Sequence, residues 1–263
     1  MTVHVESVGD GPPLVLLHGW GLHAGFFAPL LPALAARHRV HAVDLPGHGH
    51  SPVIAPYTLD SVVDALAADV CAPIAGAGAH ATILGWSFGG LLAQQLAHRY
   101  PQHVAQLLLV CTTPRFVRAD DWPHGVAVQS LRQFADELRV AYEPTLRRFL
   151  SLQMHDVADC RSTLAAMRLQ LAARPAADPS ALSAALAMLE ATDLRNDARA
   201  LSQRALVITG GRDTLTPAAA GAWLAAALPA ATLCTLADAA HIPFLSHPAP
   251  FLAALEDFAN ASH

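Results

Sequence analysis

The sequence predicts an α/β fold in which a mostly parallel central sheet is flanked by helices and carries a helical lid insertion. Short apolar runs alternate with helical patterns up to residue 111 and again after residue 194. Between these parts no pattern of a buried strand occurs, and the sequence is rich in arginine, alanine and leucine. We therefore expect a core formed by residues 1–111 and 195–263, with residues 112–194 as the lid.

The composition excludes several classes of protein. Apolar residues make up 53% of the 263 residues, but no run of 18 uncharged apolar residues occurs, so we expect no membrane span. The first residues lack the basic and apolar regions of a secretory signal, which favours a cytoplasmic location. The net charge of −5 argues against nucleic-acid binding. All sixteen positive side chains are arginine, so Schiff-base chemistry on lysine is excluded.

Cysteine and histidine spacings give no sign of a metal site or a cofactor. The four cysteines form no C-x-x-C pair, so we expect reduced thiols rather than a zinc ribbon or a redox motif. None of the fifteen histidines pairs with another at the spacing that binds metal on a helix. We expect neither a metal ion nor a cofactor.

The first predicted strands lead into a glycine loop. Residues 3–8 alternate weakly before a turn cluster, as in an edge strand, and residues 14–17 form the unbroken apolar run of a strand covered on both faces. The loop His18-Gly19-Trp20-Gly21 follows directly. Such a loop can bring a backbone N–H close to a reacting carbonyl, although an ordinary glycine turn explains it equally well.

The next elements continue the alternation of strand and helix. Residues 26–36 predict a helix, residues 39–44 a strand, and residues 58–74 a helix with Thr58 as its N-cap. Asp44 ends the strand 39–44, and His48 lies in the loop that follows, among glycines and a proline. We assign them to loop geometry rather than to catalysis.

A serine stands at the junction of the third buried strand and its helix. The motif Gly85-Trp86-Ser87-Phe88-Gly89 follows the apolar run 81–84 and precedes a helical pattern that begins near Leu91. G-x-S-x-G in this context predicts a nucleophile elbow, in which a strained turn holds the serine hydroxyl clear of the sheet. The motif alone also fits a glycine-rich turn, so the role of Ser87 depends on what the rest of the chain supplies.

Two candidate partners of Ser87 follow later predicted strands. Asp213 comes after the strand 205–210, and His241 comes after the strand 231–236. Because parallel strands end at one edge of the sheet, the three side chains are expected to converge there. Their chain order of serine, aspartate and histidine is that of the α/β-hydrolases. We predict Ser87 as nucleophile, His241 as base and Asp213 as the group that stabilises the imidazolium.

These roles predict a carboxylesterase. Ser87 would attack an ester carbonyl and form an acyl-enzyme, while the backbone N–H groups of Trp20 and Phe88 would hold the oxyanion. Trp20 would also present an aromatic wall to the substrate. A serine rather than an aspartate at the elbow disfavours a haloalkane dehalogenase or an epoxide hydrolase.

The chain resembles the pimeloyl-[acyl-carrier protein] methyl ester esterases, which are biotin-synthesis carboxylesterases of the α/β-hydrolase superfamily. The serine, aspartate, histidine and His-Gly motifs identify only the superfamily. The Gly-Trp-Ser elbow, the Trp20 loop and residues 148–153 are more specific. The resembling segments span nearly the whole chain and comprise residues 16–22, 43–47, 84–91, 121–123, 148–153 and 239–248.

The resemblance implies that the substrate is the methyl ester of pimeloyl-acyl carrier protein, and we expect a monomer. It implies that Arg148 and Arg161 face the carrier protein, although Pro144 stands where the pattern leads us to expect another arginine. It also implies an acyl channel under the lid, although core packing explains the apolar residues of segment 149–152 equally well. The implied substrate-binding residues are Trp20, Ser87, Phe88, Phe149, Leu150, Ser151, Leu152, Gln153 and His241.

Two alternatives stay open from the residues alone. A general short-acyl carboxylesterase or a carbon–carbon bond hydrolase of the same fold would share the serine, aspartate and histidine. A non-catalytic binding module is disfavoured, because such proteins usually lose part of this set.

Overall fold

The computed structural model of the chain describes residues 3–155, 157–158 and 160–261. Seven strands form one sheet: β1 (Val5–Val8), β2 (Pro13–Leu17), β3 (Arg39–Val43), β4 (Ala81–Trp86), β5 (Val104–Val110), β6 (Arg204–Gly210) and β7 (Ala231–Leu236). Their order is β1-β3-β2-β4-β5-β6-β7. β1 pairs antiparallel with β3, and the other five pairings are parallel. The predicted α/β fold with a mostly parallel sheet is confirmed.

Helices cover both faces of this sheet. They are α1 (Leu31–Ala35), α2 (Leu59–Leu66), α3 (Ala72–Gly76), α4 (Phe88–Arg99), α5 (Val128–Val140), α6 (Tyr142–Leu152), α7 (Arg161–Ala172), α8 (Pro179–Ala191), α9 (Arg195–Ala198), α10 (Ala218–Ala227), α11 (Pro243–Ser246) and α12 (Pro248–Asn260). A 3₁₀ segment, Ala24–Leu30, precedes α1. No helix within the described ranges has both the length and the apolar character that a membrane crossing requires.

The helix predicted for residues 58–74 begins as expected and changes geometry inside. Thr58 caps α2, because its hydroxyl accepts the N–H of Ser61 while the Ser61 hydroxyl accepts the N–H of Thr58. A π-helical turn, Ala67–Cys71, then separates α2 from α3. Pro73 explains the interruption, because proline cannot donate the backbone hydrogen bond that would continue the α-helix.

The apolar runs occur because the inner strands are buried on both faces. Along β2, Val15 and Leu17 belong to one apolar cluster, whereas Leu14 and Leu16 belong to another. Successive side chains of a strand point to opposite faces, so the two clusters lie on the two sides of the sheet. The inner strands therefore lack the polar alternation of a strand with one wet face.

The helices α5 to α8 all lie between β5 and β6 in the chain. We call residues 112–194 the helical insertion. Its irregular parts pair at isolated bridges between Arg115 and Asp193, Val117 and Val126, and Ala119 and Trp122. Apolar side chains of α5 and α8, including Leu131 and Leu186, belong to the same cluster as Val15 and Leu17 of the sheet.

Candidate active site

Ser87 lies in a strained turn between the end of β4 and the first residue of α4. Its φ of 55° and ψ of −117° fall outside the regions that residues with a Cβ ordinarily adopt. The helix approaches the strand so closely that glycine is required both two residues before Ser87 and two residues after it. A Cβ on Gly85 would lie 2.5 Å from the carbonyl oxygen of Gly89, and one on Gly89 would overlap that of Leu17. The strand, turn and helix predicted for the motif are therefore present.

The structure brings Ser87, His241 and Asp213 into one hydrogen-bonded line. His241 Nε2 lies 2.9 Å from Ser87 Oγ, and His241 Nδ1 lies 2.8 Å from Asp213 Oδ2. The tautomer that satisfies both contacts carries its proton on Nδ1, so Nδ1–H donates to Asp213 and Nε2 accepts from the serine hydroxyl. This is the geometry that a serine nucleophile and its base require.

Asp213 is held ionised by the groups around its buried carboxylate. Burial would raise its pKa, but the charge and hydrogen bond of His241 and the hydrogen bonds of Thr216 outweigh burial and hold the pKa below its usual value. The Thr216 hydroxyl donates to Oδ2 at 2.7 Å, and the N–H groups of Leu215 and Thr216 donate to Oδ1. Sequence reasoning missed Thr216, although a threonine three residues after a loop aspartate is a common local hydrogen-bonding pattern.

His241 is fixed through its backbone as well as its ring. Its N–H donates to the carbonyl oxygen of Gln153 at 3.1 Å, just beyond the end of α6. Its carbonyl oxygen accepts a hydrogen bond of 2.8 Å from Nε1 of Trp86, the residue before the nucleophile. Neither contact carries a sequence signal, because the residues involved are far apart along the chain.

The two oxyanion candidates both lie close to the nucleophile. Phe88 is the first residue of α4, so its backbone N–H has no acceptor within the helix. The loop that contains Trp20 packs beside the nucleophile, since a Cβ on Gly19 would lie 3.5 Å from Cβ of Ser87. The Trp20 indole donates to the carbonyl oxygen of Leu182 in α8.

A neutral histidine shapes this loop. Burial, together with repulsion from His48, lowers the pKa of His18 to about 3. Its Nε2 accepts the N–H of Leu45 at 3.0 Å, so its Nδ1–H is available to donate to the carbonyl oxygen of Gly19 at 2.8 Å. The conformation of the loop is therefore stabilised by hydrogen bonds of an uncharged imidazole.

An apolar cavity of about 320 Å³ opens next to Ser87 and His241. Three aromatic rings contact one another in its wall: the Trp20 ring lies 5.3 Å from the rings of Phe134 and Phe149, which are 5.6 Å apart. The complete lining is Trp20, Ser87, Phe116, Val126, Ser130, Leu131, Gln133, Phe134, Glu137, Arg148, Phe149, Leu152, Leu186, Leu189, Leu215 and His241. Most of this wall comes from the helical insertion.

Only part of the segment expected to line an acyl channel does so. Phe149 and Leu152 line the cavity, because residues three apart lie on one face of a helix. Leu150 is instead fully buried in the apolar cluster that contains Leu14 and Leu16. Ser151 donates to the carbonyl oxygen of Arg147 along α6, and Gln153 is fully buried just after the helix. Leu150, Ser151 and Gln153 are not among the residues that line this cavity, so their expected contact with substrate stays a prediction.

The side chain of Phe88 also departs from the expected lining. It is fully buried in the apolar cluster that contains Val15 and Leu17, and it is not among the lining residues. Phe88 can serve the site only through its backbone. By contrast, Trp20, Ser87 and His241 lie in the cavity wall.

The two arginines expected to face a carrier protein lie in different settings. Arg148 lines the cavity and forms an ion pair with Glu137, and these side chains are 55% and 30% exposed. The charged end of the cavity is therefore its solvent-facing end. Arg161 is the exposed first residue of α7 and does not line the cavity.

One group of possible metal ligands lies within the same site. The ligand atoms of Cys111, Asp213 and His241 all lie within 4.8 Å of one another. Asp213 and His241 already bind each other, and burial together with the charge of Asp213 raises the pKa of the Cys111 thiol well above its usual value. A neutral thiol is a poor metal ligand, so these residues suit proton transfer better than metal binding.

Comparisons with known proteins agree with this geometry. The sequence profile of the α/β hydrolase fold family matches residues 12–248. A pimeloyl-[acyl-carrier protein] methyl ester esterase of Chromobacterium violaceum is 46% identical over 261 residues, covering 98% of each chain. Proteins of the same name from Xanthomonas oryzae and Nitrosospira multiformis are 44% and 38% identical, and each alignment covers at least 97% of both chains.

Solved structures show the same architecture. An esterase from Exiguobacterium antarcticum superposes with a TM-score of 0.88 at 20% identity, covering 98% of this chain and 95% of its own. The enol-lactonase from Burkholderia xenovorans gives a TM-score of 0.82 at 26% identity, covering 98% of this chain and 96% of its own. At 20% identity, the first likeness concerns the fold alone.

Proposed function

This chain belongs to the α/β-hydrolase family and, within it, to the pimeloyl-[acyl-carrier protein] methyl ester esterases, and we propose that it is a serine carboxylesterase that hydrolyses the methyl ester of pimeloyl-acyl carrier protein. The observation that carries the proposal is the line of hydrogen bonds from Ser87 through His241 to Asp213 beside an apolar cavity. The reaction would free the pimeloyl carboxylate for biotin synthesis.

In the proposed acylation step, Ser87 Oγ attacks the carbonyl carbon of the methyl ester while its proton passes to His241 Nε2. The positive imidazole is stabilised by Asp213, whose depressed pKa keeps it ionised. The negative oxygen of the tetrahedral intermediate accepts hydrogen bonds from the backbone N–H groups of Phe88 and Trp20. Each such donor contributes roughly 3 kcal/mol where it has been measured in other hydrolases.

Collapse of the intermediate breaks the bond between the carbonyl carbon and the methoxy oxygen. His241 returns its proton to that oxygen, methanol leaves, and the acyl group stays on Ser87. Water then attacks the acyl-enzyme with His241 as base, which releases the carboxylate and restores the serine hydroxyl. The triad supplies every proton transfer, so the proposed reaction needs no cofactor.

The cavity explains why the methyl ester would react rather than the thioester at the other end of the acyl chain. The catalytic groups lie in an apolar wall, and the charged pair Arg148–Glu137 marks the side that opens to solvent. A chain entering from that side places its methyl ester next to Ser87 and leaves its carrier outside. The apolar wall from the helical insertion supports its proposed role as a lid.

The proposed partner is acidic, and two exposed arginines of the helical insertion support its docking there. Arg148 lies at the solvent-facing end of the cavity, and Arg161 begins α7. The ion pair of Arg148 with Glu137 would have to open or rearrange to admit a carboxylate of the partner. In this proposal the enzyme is a cytoplasmic monomer.

Kinetics on two substrates tests the proposal. We expect a higher kcat/KM on pimeloyl-carrier methyl ester than on free dimethyl pimelate, and loss of both activities in Ser87→Ala. A serine-directed phosphonate should label the wild type and leave Ser87→Ala unlabelled. Equal kcat/KM on both substrates would indicate a general short-acyl esterase, and cleavage of ring-fission dienones instead of esters would indicate a carbon–carbon bond hydrolase.

A further inference from the structure

The residue before the nucleophile contacts both the loop of His241 and the loop that carries Trp20. Trp86 is fully buried at the end of β4 and is joined by a peptide bond to Ser87. Its indole Nε1–H donates to the carbonyl oxygen of His241 at 2.8 Å. A Cβ on Gly19 would lie 3.5 Å from Cε3 of the same indole, so the loop that carries Trp20 packs on it as well.

The indole is itself held in place by aromatic packing. The ring of Phe244 lies 5.0 Å from the Trp86 ring at 87°, and that of Phe27 lies 6.4 Å away at 75°. These edge-to-face contacts fix the direction in which the indole N–H points. The hydrogen bond therefore ties the loop of His241 to the turn of Ser87.

The other backbone polar group of His241 is bound from a different element. Its N–H donates to the carbonyl oxygen of Gln153, at the end of α6, whereas its carbonyl is bound by Trp86. Two hydrogen bonds from different elements thus fix the peptide groups on either side of the His241 Cα. Of these two, only the bond from Trp86 depends on a side chain and can be removed by substitution.

We propose that Trp86 is a positioning residue for ester hydrolysis, whose indole N–H holds His241 at hydrogen-bond distance from Ser87. This inference rests on the proposed role of His241 as the base. Loss of the indole donor leaves the His241 carbonyl without this partner and lets the loop shift relative to the nucleophile. Because small misplacements of a base are costly, we expect kcat to fall by about tenfold or more.

Two variants separate the hydrogen bond from the packing of the ring. Trp86→Phe keeps an aromatic ring without a donor, and replacement of Trp86 by 3-benzothienylalanine keeps the bicyclic shape with sulfur in place of N–H. Trp122→Phe is the matched control, because its buried indole also donates to a backbone carbonyl, that of Arg115, away from the cavity lining.

We expect both Trp86 variants to lose kcat on p-nitrophenyl acetate with KM within about twofold of wild type, because positioning of the base acts on chemistry rather than on binding. Trp122→Phe should keep kcat, and thermal unfolding should show that all variants fold. A benzothienyl variant with wild-type kcat would overturn the proposal, because ring packing would then suffice.

Proton NMR gives a second reading that does not depend on turnover. The Nδ1–H of His241, held by Asp213, should give a downfield signal in the wild type and in Trp122→Phe, and a weakened or shifted signal in both Trp86 variants. An unchanged signal in both Trp86 variants would overturn the inference. A wild type that cleaves no ester would refute the proposed function, whereas the NMR comparison would still decide the role of Trp86.

Discussion

Arg174 of the helical insertion donates a hydrogen bond of 2.8 Å to Asp44, which follows β3 in the core. The Asp44 side chain is fully buried, and that of Arg174 is 9% exposed. Asp44 also accepts the backbone N–H groups of Ala24 and His50. One carboxylate therefore fixes the loop after β3 and binds the insertion to the core, in agreement with its assignment to loop geometry.

Loss of this contact should destabilise the protein. Arg174→Gln leaves the buried carboxylate of Asp44 without its cationic partner, and we expect the free energy of unfolding to fall by about 3 kcal/mol. Urea unfolding measures the change. Arg132→Gln, which breaks the exposed ion pair of Arg132 with Glu190, is the control and should change little. Similar small losses in both variants would contradict the prediction.

Stability should fall as the pH drops below about 6.5. Burial, the leading cause for both residues, lowers the pKa of His18 to about 3 and that of His48 to about 4. Between those values and 6.5 the unfolded chain binds protons at these histidines and the folded protein does not. Each histidine should therefore cost about 1.4 kcal/mol of unfolding free energy per pH unit in that range.

Urea unfolding between pH 7 and pH 5 checks this dependence. Replacement of one buried histidine, as in His48→Gln, should reduce the slope. An unfolding free energy that stays constant over this interval would show that the buried histidines do not control acid stability.

Chain-length selectivity should depend on Phe149 and not on its neighbour. Phe149→Ala removes a ring that contacts Trp20 and Phe134 in the cavity wall, so kcat/KM should fall more for a pimeloyl ester than for an acetyl ester. Leu150→Ala should instead cost about 2–5 kcal/mol of stability, because Leu150 is fully buried outside the cavity. Kinetics on a series of esters measures the selectivity of both variants, and urea unfolding measures their stability. A change of selectivity in Leu150→Ala but not in Phe149→Ala would show that Leu150, rather than Phe149, determines chain-length selectivity.

Arg148 should matter for a carrier-linked substrate. Arg148→Glu places a second negative charge beside Glu137 at the open end of the cavity, which should repel an acidic carrier. We expect kcat/KM to fall much further on pimeloyl-carrier methyl ester than on the free methyl ester. Arg161→Glu gives the same comparison for an arginine outside the cavity wall. Equal losses on both substrates would indicate that Arg148 supports the fold of the insertion.

The sequence predicts the sheet and the convergence of the three candidate catalytic residues, because each depends on local patterns. The inner strands are apolar on both faces, and Ser87, Asp213 and His241 each follow a strand end. The face that α6 presents to the cavity could not be predicted, because Phe149 and Leu150 are equally apolar. Only tertiary packing decides that Phe149 lines the cavity and that Leu150 is buried in the core.

Contacts between distant residues were equally inaccessible from the sequence. The hydrogen bond from Trp86 to His241 joins residues 155 positions apart. By contrast, Thr216 lies only three positions from Asp213, and that spacing is a local signal in the sequence.

The hydrogen bond between His241 and the carbonyl oxygen of Gln153 has a consequence for folding kinetics. Completion of the hydrogen-bonded line at Ser87 requires residues from both halves of the sheet and the end of α6 to meet, and contacts of such high sequence separation form slowly. Recovery of esterase activity after dilution from denaturant should therefore lag behind the return of secondary structure. Enzyme activity would then report the docking of the insertion onto the core.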